Sequence, residues 1–407
     1  MVGCNGKRKT DFLPTTYYLL LTIGYVHSVV QIGVTWKEPS MENKAREYQL
    51  IHRRLSLFQL VLTPALLGIL IASGWTFGMR QNAVALVGAG DWGVVAIYFV
   101  LFSLFFLIFD LPLSFYSGFM LEHRFGLSNQ NFRQWLLDLG KKTLLSFGLS
   151  LVLLECLYWI IRADPSHWWL WAWAAYAFVS YVLGKVFPVL IVPLFYKYGS
   201  LEDKDLETKV LALAARFDMP VGNVYSLNLS KTTKKANAAF MGLGRTKRVV
   251  LSDTLIQNFT HPEVEVVVAH ELGHYKHQDV WRLLGFGLVA SLVAFAAGFW
   301  GIRAMAGKVG LASASDVAGL PLLFLIFYIV NLILTPLMNG YSRRRERAAD
   351  LFALRALETR DVFITCMKKL GEQNLADPEP PAWYEWFFYD HPSIGKRVAM
   401  AERWTND

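Results

Sequence analysis

Long apolar stretches recur along this chain, separated by shorter polar segments. A helix of about 20 residues crosses the roughly 30 Å hydrocarbon core of a bilayer. Seven stretches come close to that length or exceed it, so the pattern predicts seven transmembrane helices. They run roughly over residues 17–36, 55–75, 92–116, 143–161, 168–195, 283–302 and 320–338.

Two polar regions interrupt this pattern and divide the chain. Residues 1–196 form an N-terminal membrane region with five spans, 197–282 an α+β region, 283–340 two further spans, and 341–407 a helical C-terminal region. Within the α+β region, "LEDKDLETKVLALAARFDM" has helical periodicity, whereas "NVYSLNLS", "ANAAFMG" and "RVVLS" are typical of strands. The predicted fold is therefore a mainly α, polytopic membrane protein with a small α+β part.

The composition agrees with a membrane protein. Hydrophobic residues make up 54% of the 407 residues. The net charge of +8 comes from basic residues that cluster beside the apolar stretches, which indicates contact with membrane lipid rather than with nucleic acid. The cysteines Cys4, Cys156 and Cys366 lie far apart and indicate no disulfide framework. The sequence does not indicate the oligomeric state.

Basic residues also predict the orientation, because cytoplasmic loops are enriched in Lys and Arg. The first and third loops and the segment after the last span carry most of them, including Arg343, Arg344, Arg345 and Arg347. The polar regions, and any active site in them, are therefore expected to face the cytoplasm.

The stretch "VVVAHELGHYKHQDV" carries the candidate chemistry. On a helix, His270 and His274 point the same way and can bind one zinc ion, whereas Glu271 lies about 100° further round. This is the arrangement of the H-E-x-x-H motif, in which two neutral imidazoles bind zinc and the glutamate acts as general base. The alternative is a helix with two incidental histidines, which would leave polar side chains in apolar surroundings.

A catalytic zinc ion needs a third protein ligand. His277 lies about 10.5 Å along the helix axis from His270, too far to share one ion with it. Glu346 in "SRRRERAAD" is the better candidate, and Asp350, one turn later, could accept a hydrogen bond from a ligating histidine. The alternative is a surface helix with Glu346 among arginines.

Taken together, these segments resemble a known family. "FYSGFMLEHRFGLSNQ", "VPLFYKYGSLED", "NAAFMGLGRTKRVVLSDTL", "VVVAHELGHYKH", "SRRRERAAD" and "DHPSIGKRV" are similar, in this order, to the integral-membrane zinc metalloproteases that include the type I CAAX prenyl proteases and their bacterial relatives. The resemblance extends from about Ser103 to Val398.

The resemblance implies a gluzincin site with one Zn²⁺. His270, His274 and Glu346 would bind the ion, Glu271 would be the base, and Asp350 would support a ligand. It also implies that the seven spans form a barrel around a water-filled chamber, into which Asp110, Glu155 and Lys185 would face. These three could equally pair inside the bundle.

Three further residues match the family's segments. The resemblance places Asn237 on an edge strand that binds an extended peptide, and His391 where it stabilises the charge on the oxyanion. Arg397 is close enough in sequence to support His391 or to meet a substrate carboxylate.

The expected function is a membrane-embedded zinc endopeptidase. Its substrates would be prenylated (CAAX-type) or other membrane-associated peptides, cleaved near the C-terminus. A compact chain without a dilysine-type signal favours the bacterial inner membrane, with the endoplasmic reticulum membrane as the eukaryotic alternative. The competing functions are a membrane-protein quality-control protease without prenyl dependence, a transporter or lipid-handling bundle with structural zinc, and a chaperone-like factor that has lost catalysis.

Overall fold

The structure, a computed structural model, describes residues 41–219, 223–241 and 248–405. Helices dominate these ranges and carry nearly all of the regular structure. The N-terminal half contains α1 (Met41–Ala72), α2 (Trp75–Val87), α3 (Asp91–Phe115), α4 (Leu121–Arg124), α5 (Phe132–Ala163) and α6 (Trp168–Val186). The C-terminal half contains α7 (Lys204–Arg216), α8 (Asp253–Asn258), α9 (His261–Lys276), α10 (Asp279–Met305), α11 (Leu320–Leu357), α12 (Arg360–Gln373), α13 (Ala382–Phe388) and α14 (Ile394–Glu402).

Six helical segments within the described ranges are long and apolar enough to cross a membrane. They are Asn43–Ala72, Asp91–Arg124, Phe132–Ala163, Trp168–Leu194, Asp279–Met305 and Val317–Leu357. They correspond to the second to seventh predicted spans, and the first, 17–36, lies outside the described residues. The mainly helical membrane architecture is thus confirmed, whereas the chamber stays a prediction.

A small sheet supplies the β part. Its strands are β1 (Tyr198–Ser200), β2 (Val224–Leu227), β3 (Ala238–Met241) and β4 (Arg248–Ser252), in the order β1-β2-β4-β3. The β2–β4 pair is parallel and the other two pairs are antiparallel. The three predicted strands are present, and β3 lies at an edge of the sheet. β1 was not predicted, because three residues are too few to show an alternating pattern.

Helix α9 is the centre of the polar part. It begins after Thr260, whose backbone N–H donates to the Glu263 carboxylate at 2.8 Å, and Pro262 occupies its first turn. Residues from Glu263 to Gly273 are almost all buried. They pack against α11, α12, α7 and β3, which places the "HELGH" segment inside the core rather than on its surface.

A glycine allows α9 to approach α11 closely. A Cβ atom placed on Gly273 would lie 3.0 Å from Ala349 Cα, 3.2 Å from Ala349 O and 3.2 Å from Phe352 Cβ. The first two are backbone atoms, so a side chain here would push the helices apart. This contact determines how near His270 and His274 come to the side chains of α11.

We therefore expect Gly273→Ala to destabilise the protein by about 1–3 kcal/mol, the usual cost of overpacking a core, and to lower its zinc content. Gly285→Ala in α10 is the matched control, because no atom lies within 4 Å of the added methyl group. Both changes gain the same helix propensity, so their difference reports the helix contact. Thermal unfolding and metal analysis would measure it, and equal results for the two variants would contradict the assignment.

Candidate active site

Three side chains from two helices converge on one point. His270 and His274 of α9 place their Nε2 atoms 3.1 Å apart. Glu346 of α11 places Oε2 at 3.3 Å from His270 Nε2 and Oε1 at 3.4 Å from His274 Nε2. Atoms bound at 2.0–2.1 Å to a tetrahedral zinc ion lie about 3.3 Å from one another. The spacing therefore fits three ligands of one zinc ion.

The outer nitrogens of both histidines contact carboxylates. His270 Nδ1 lies 2.7 Å from Asp350 Oδ1, and His274 Nδ1 lies 3.0 Å from Asp279 Oδ2. A carboxylate accepts a hydrogen bond, so an Nδ1–H directed at it leaves the Nε2 lone pair available to a metal ion. A cation, whether a proton or a metal ion, relieves the repulsion between the two Nε2 atoms and the Glu346 carboxylate.

An arginine lies behind each of these aspartates. Arg397 donates from Nε to Asp350 Oδ2 at 2.9 Å, and its Nη2 contacts Asp350 Oδ1. Arg345 donates from Nε to Asp279 Oδ1. Each histidine is thus followed by an aspartate and then an arginine, and these rows orient the two imidazoles.

The sequence analysis did not identify Asp279 or Arg345. Asp279 follows His274 by five residues and begins the next helix, and Arg345 directly precedes Glu346. The only signal was the presence of a carboxylate just beyond "HELGH" and of arginines around Glu346. Arg397, at 1% exposure, donates to Asp350, so it helps to position that carboxylate, and its predicted role toward His391 or a substrate carboxylate stays a prediction.

One carboxylate oxygen of Glu271 faces the sheet. Its Oε2 accepts a hydrogen bond from the backbone N–H of Phe240 in β3 at 3.0 Å, and the residue is 1% exposed. The 100° step between adjacent helical residues separates it from the direction of His270. The structure therefore places Glu271 between the three-residue group and the edge strand.

His391 joins the group, whereas Asn237 is positioned by its place beside the edge strand. His391 Nε2 lies 3.0 Å from Glu346 Oε1, and its Nδ1 lies 2.7 Å from Asp390 Oδ1. Asn237 directly precedes β3, and its Oδ1 is enclosed without a hydrogen-bond donor from the described residues. His277 follows α9, with its ring 6.1 Å from that of Phe352, and does not belong to the converging group.

The electrostatics of the site favour a positive charge. Burial lowers the pKa of His274, but the carboxylates of Glu346 and Asp279 outweigh burial and raise it to about 9. The same carboxylates stabilise a metal ion, which competes with a proton for the imidazole.

The fold and the site define a membrane-embedded zinc metalloprotease. Comparison with known families agrees. Residues 200–405 match the model of peptidase family M48, and residues 38–197 match the CAAX prenyl protease N-terminal family, described as having five membrane helices. The chain belongs to peptidase family M48. The prediction of a membrane zinc endopeptidase is thereby confirmed.

Individual relatives cover most of the chain. The metalloprotease YhfN of Bacillus subtilis is 30% identical over 380 residues, which are 91% of this chain and 88% of that protein. A CAAX prenyl protease 1 homolog of Arabidopsis thaliana is 31% identical over 72% of this chain and 69% of its own length. The crystal structure of S. mikatae Ste24p shares the fold, with a TM-score of 0.80 at 24% identity and 89% of each chain covered.

The paired aspartates lead to a prediction about metal affinity. Asp279→Ala is expected to weaken zinc binding about 10–100-fold, because His274 loses the partner that fixes its ring and tautomer. Competition with a chromophoric chelator would measure the dissociation constant. His277→Ala is the matched control and should leave it unchanged. If the two variants bound zinc equally, Asp279 would have no part in the site.

Proposed function

We propose that His270, His274 and Glu346 bind one zinc ion and that Glu271 is the general base of peptide hydrolysis. The observation that carries this proposal is that the two Nε2 atoms lie 3.1 Å apart and each lies 3.3–3.4 Å from an oxygen of Glu346. The structural-zinc alternative lacks support, because a structural site uses four protein ligands and needs no base directed at a peptide.

Bound zinc would supply Lewis-acid activation of a water molecule and of the scissile carbonyl group. Glu271 takes the proton from the attacking water and gives it to the nitrogen of the leaving peptide. The hydrogen bond from Phe240 N–H to Glu271 Oε2 holds one carboxylate oxygen toward the strand. A base fixed in this way needs little reorganisation during the reaction.

His391 is proposed to stabilise the negative charge that develops on the scissile carbonyl oxygen. Its Nε2 lies beside Glu346 Oε1 at 3.0 Å, which places the ring at the proposed zinc site. The contact between Nδ1 and Asp390 holds the ring in place, at 4% exposure of the residue. A buried donor directed at a developing charge is worth more than the same donor in water.

The substrate is proposed to bind in extended form along β3. This strand pairs with β4 on one side only within the described sheet, and an extended peptide can add to the other side through backbone hydrogen bonds. Asn237 would contribute its carboxamide to one further peptide group. Binding through the backbone suits a protease that accepts varied side chains.

The membrane setting limits the choice of substrate. Relatives named as CAAX prenyl proteases favour a prenylated CAAX-type peptide, and the membrane helices would equally suit other membrane-associated peptides. The distribution of Lys and Arg favours an active site that faces the cytoplasm. The similarity to a Bacillus subtilis metalloprotease favours the inner membrane of a bacterium. Cleavage of matched prenylated and unprenylated peptides, with and without chelator, would separate the prenyl-dependent protease from a general quality-control protease.

The role of Glu271 can be separated from that of the ligands. Glu271→Ala is expected to abolish cleavage and to retain zinc, because its carboxylate points to β3. Glu346→Ala is expected to lose zinc as well as activity. Metal analysis of both purified variants beside the wild type would decide. Loss of zinc from Glu271→Ala as large as that from Glu346→Ala would show that Glu271 is a ligand.

The two remaining residues should differ in kinetics. Asn237→Ala is expected mainly to raise KM, because it removes binding that the ground state and the transition state share. His391→Ala is expected mainly to lower kcat, by about a hundredfold, as for other lost oxyanion donors. Steady-state kinetics on one peptide would measure both. An effect of His391→Ala on KM alone would exclude its assigned role.

A further inference from the structure

The backbone groups of the edge strand face alternately toward and away from β4. Asn237 faces β4, because its N–H donates to Ser252 Oγ at 2.9 Å and its C=O accepts from Ser252 N–H at 2.9 Å. The backbone groups of Ala236, Ala238 and Phe240 therefore point to the opposite, outer side. The Phe240 N–H agrees with this alternation, because it donates to Glu271 and not to β4.

A side chain of another element engages this outer edge at Ala236. Asn374 Oδ1 accepts from Ala236 N–H at 2.9 Å, and Asn374 Nδ2 donates to Ala236 C=O at 3.2 Å. These are the two groups that a neighbouring strand would engage in an antiparallel pair. Asn374 is 2% exposed, so packing fixes its carboxamide in this position.

We propose that Asn374 ends the peptide-binding edge and thereby determines how much of the substrate is held by backbone pairing. This rests on the proposed binding of peptide along β3. From Phe240, beside the base, to Ala236 the strand spans about 13 Å, which is room for about three substrate residues beyond the scissile bond. A peptide paired antiparallel to β3, the more stable arrangement, places its C-terminal part on the Ala236 side.

Membrane helices hold this end of the edge in place. Gln49 of α1 donates from Nε2 to the backbone C=O of Leu375, next to Asn374, at 2.6 Å. Gln49 is itself buried. The backbone next to Asn374 is therefore held by a membrane helix, which helps to fix the position of the Asn374 carboxamide.

The residues that precede Ala236 are also held in place by other elements. Lys235 Nζ donates to Glu122 Oε2 at 2.8 Å, and Tyr48 of α1 donates to Glu122 Oε1 at 2.6 Å. The Lys234 N–H donates to Leu127 C=O at 2.9 Å. The "LEHRFGLSNQ" segment of the third loop thus acquires a role, which is to position the residues that lead into β3.

The consequence is that substrate residues beyond the third after the scissile bond gain no backbone pairing. They turn away from the strand, and their N–H groups do not contribute to KM. A substrate therefore needs only a short extended segment after the cleavage point, which suits cleavage near a C-terminus.

Single N-methylation of the peptide backbone tests this directly. One peptide would be methylated in turn at each of the first to sixth residues after the scissile bond, and KM measured for each. In the wild type, methylation is expected to raise KM about tenfold at one or more of the first three residues and to leave it unchanged beyond them. A rise of similar size at the fourth to sixth residue, or a sensitivity confined to the other side of the scissile bond, would overturn the proposal.

The variant Asn374→Gly should lengthen the sensitive region. With Ala236 opened for pairing, methylation of the fourth or fifth residue is expected to raise KM about threefold. Gln373→Ala is the matched control, because this neighbouring carboxamide bonds Lys234 C=O at 2.8 Å, outside the outer edge of β3. An unchanged pattern in a folded, zinc-containing Asn374→Gly protein would overturn the proposal, and the wild-type scan remains decisive if this variant does not fold.

The variant Asn237→Ala tests separately whether the peptide binds along β3. If Asn237→Ala raises KM but the set of methylation-sensitive residues is the same in the wild type and in Asn374→Gly, the peptide binds along β3 and only the role of Asn374 is wrong. If Asn237→Ala leaves KM unchanged and no methylated peptide binds more weakly, the binding of peptide along β3 is wrong, and the role of Asn374 is overturned with it.

Discussion

Two imidazole nitrogens that face each other at 3.1 Å, next to a carboxylate, are the constraint on which the rest of the structure depends. A cation stabilises such a group, because burial removes the water that would otherwise screen its polar atoms. The fold supplies the conditions that hold it together. Gly273 brings α9 against α11, and Asp350 and Asp279 fix the tautomers of the two histidines.

The charges around this group favour a bound cation. Glu346, Glu271, Asp350 and Asp279 are buried, and Arg397 and Arg345 pair with the two aspartates. Buried charge that is not neutralised costs several kcal/mol per ion, so the carboxylates of the site stabilise a metal ion.

Helix α11 links the membrane part to the site. Glu346 lies 26 residues after Leu320 on this one helix, a rise of about 39 Å. About 30 Å of that length would be needed by an upright helix to cross the hydrocarbon core. One helix is therefore long enough both to span a membrane and to carry one of the three converging side chains.

Much of the fold could be predicted from local sequence patterns. The remaining features depend on contacts between residues that are far apart in the sequence. The spacing of His270, Glu271 and His274 predicted that one helix directs the histidines and the glutamate to different sides. The family resemblance implied that Asn237 belongs to an edge strand, and β3, which it directly precedes, lies at an edge. Neither pattern could show that Asn374 would meet Ala236, 138 residues earlier, or that Arg345 would meet Asp279, 66 residues earlier. Such pairs join polar residues that look like ordinary surface positions until the helices are packed.

Helix α9 separates two tasks by the angle between adjacent residues. His270 points to Glu346 of α11, at the proposed metal site. Glu271 points with one carboxylate oxygen to β3, along which the substrate is proposed to bind. The Phe240 N–H that orients Glu271 belongs to the same outer edge as Ala238. A peptide paired at Ala238 therefore lies two residues from the group that holds the base. Substrate position and base orientation share one short strand, so a displacement of β3 would affect both binding and proton transfer. That shared dependence explains why the residues leading into β3 are held by α1, by α12 and by the third loop at once.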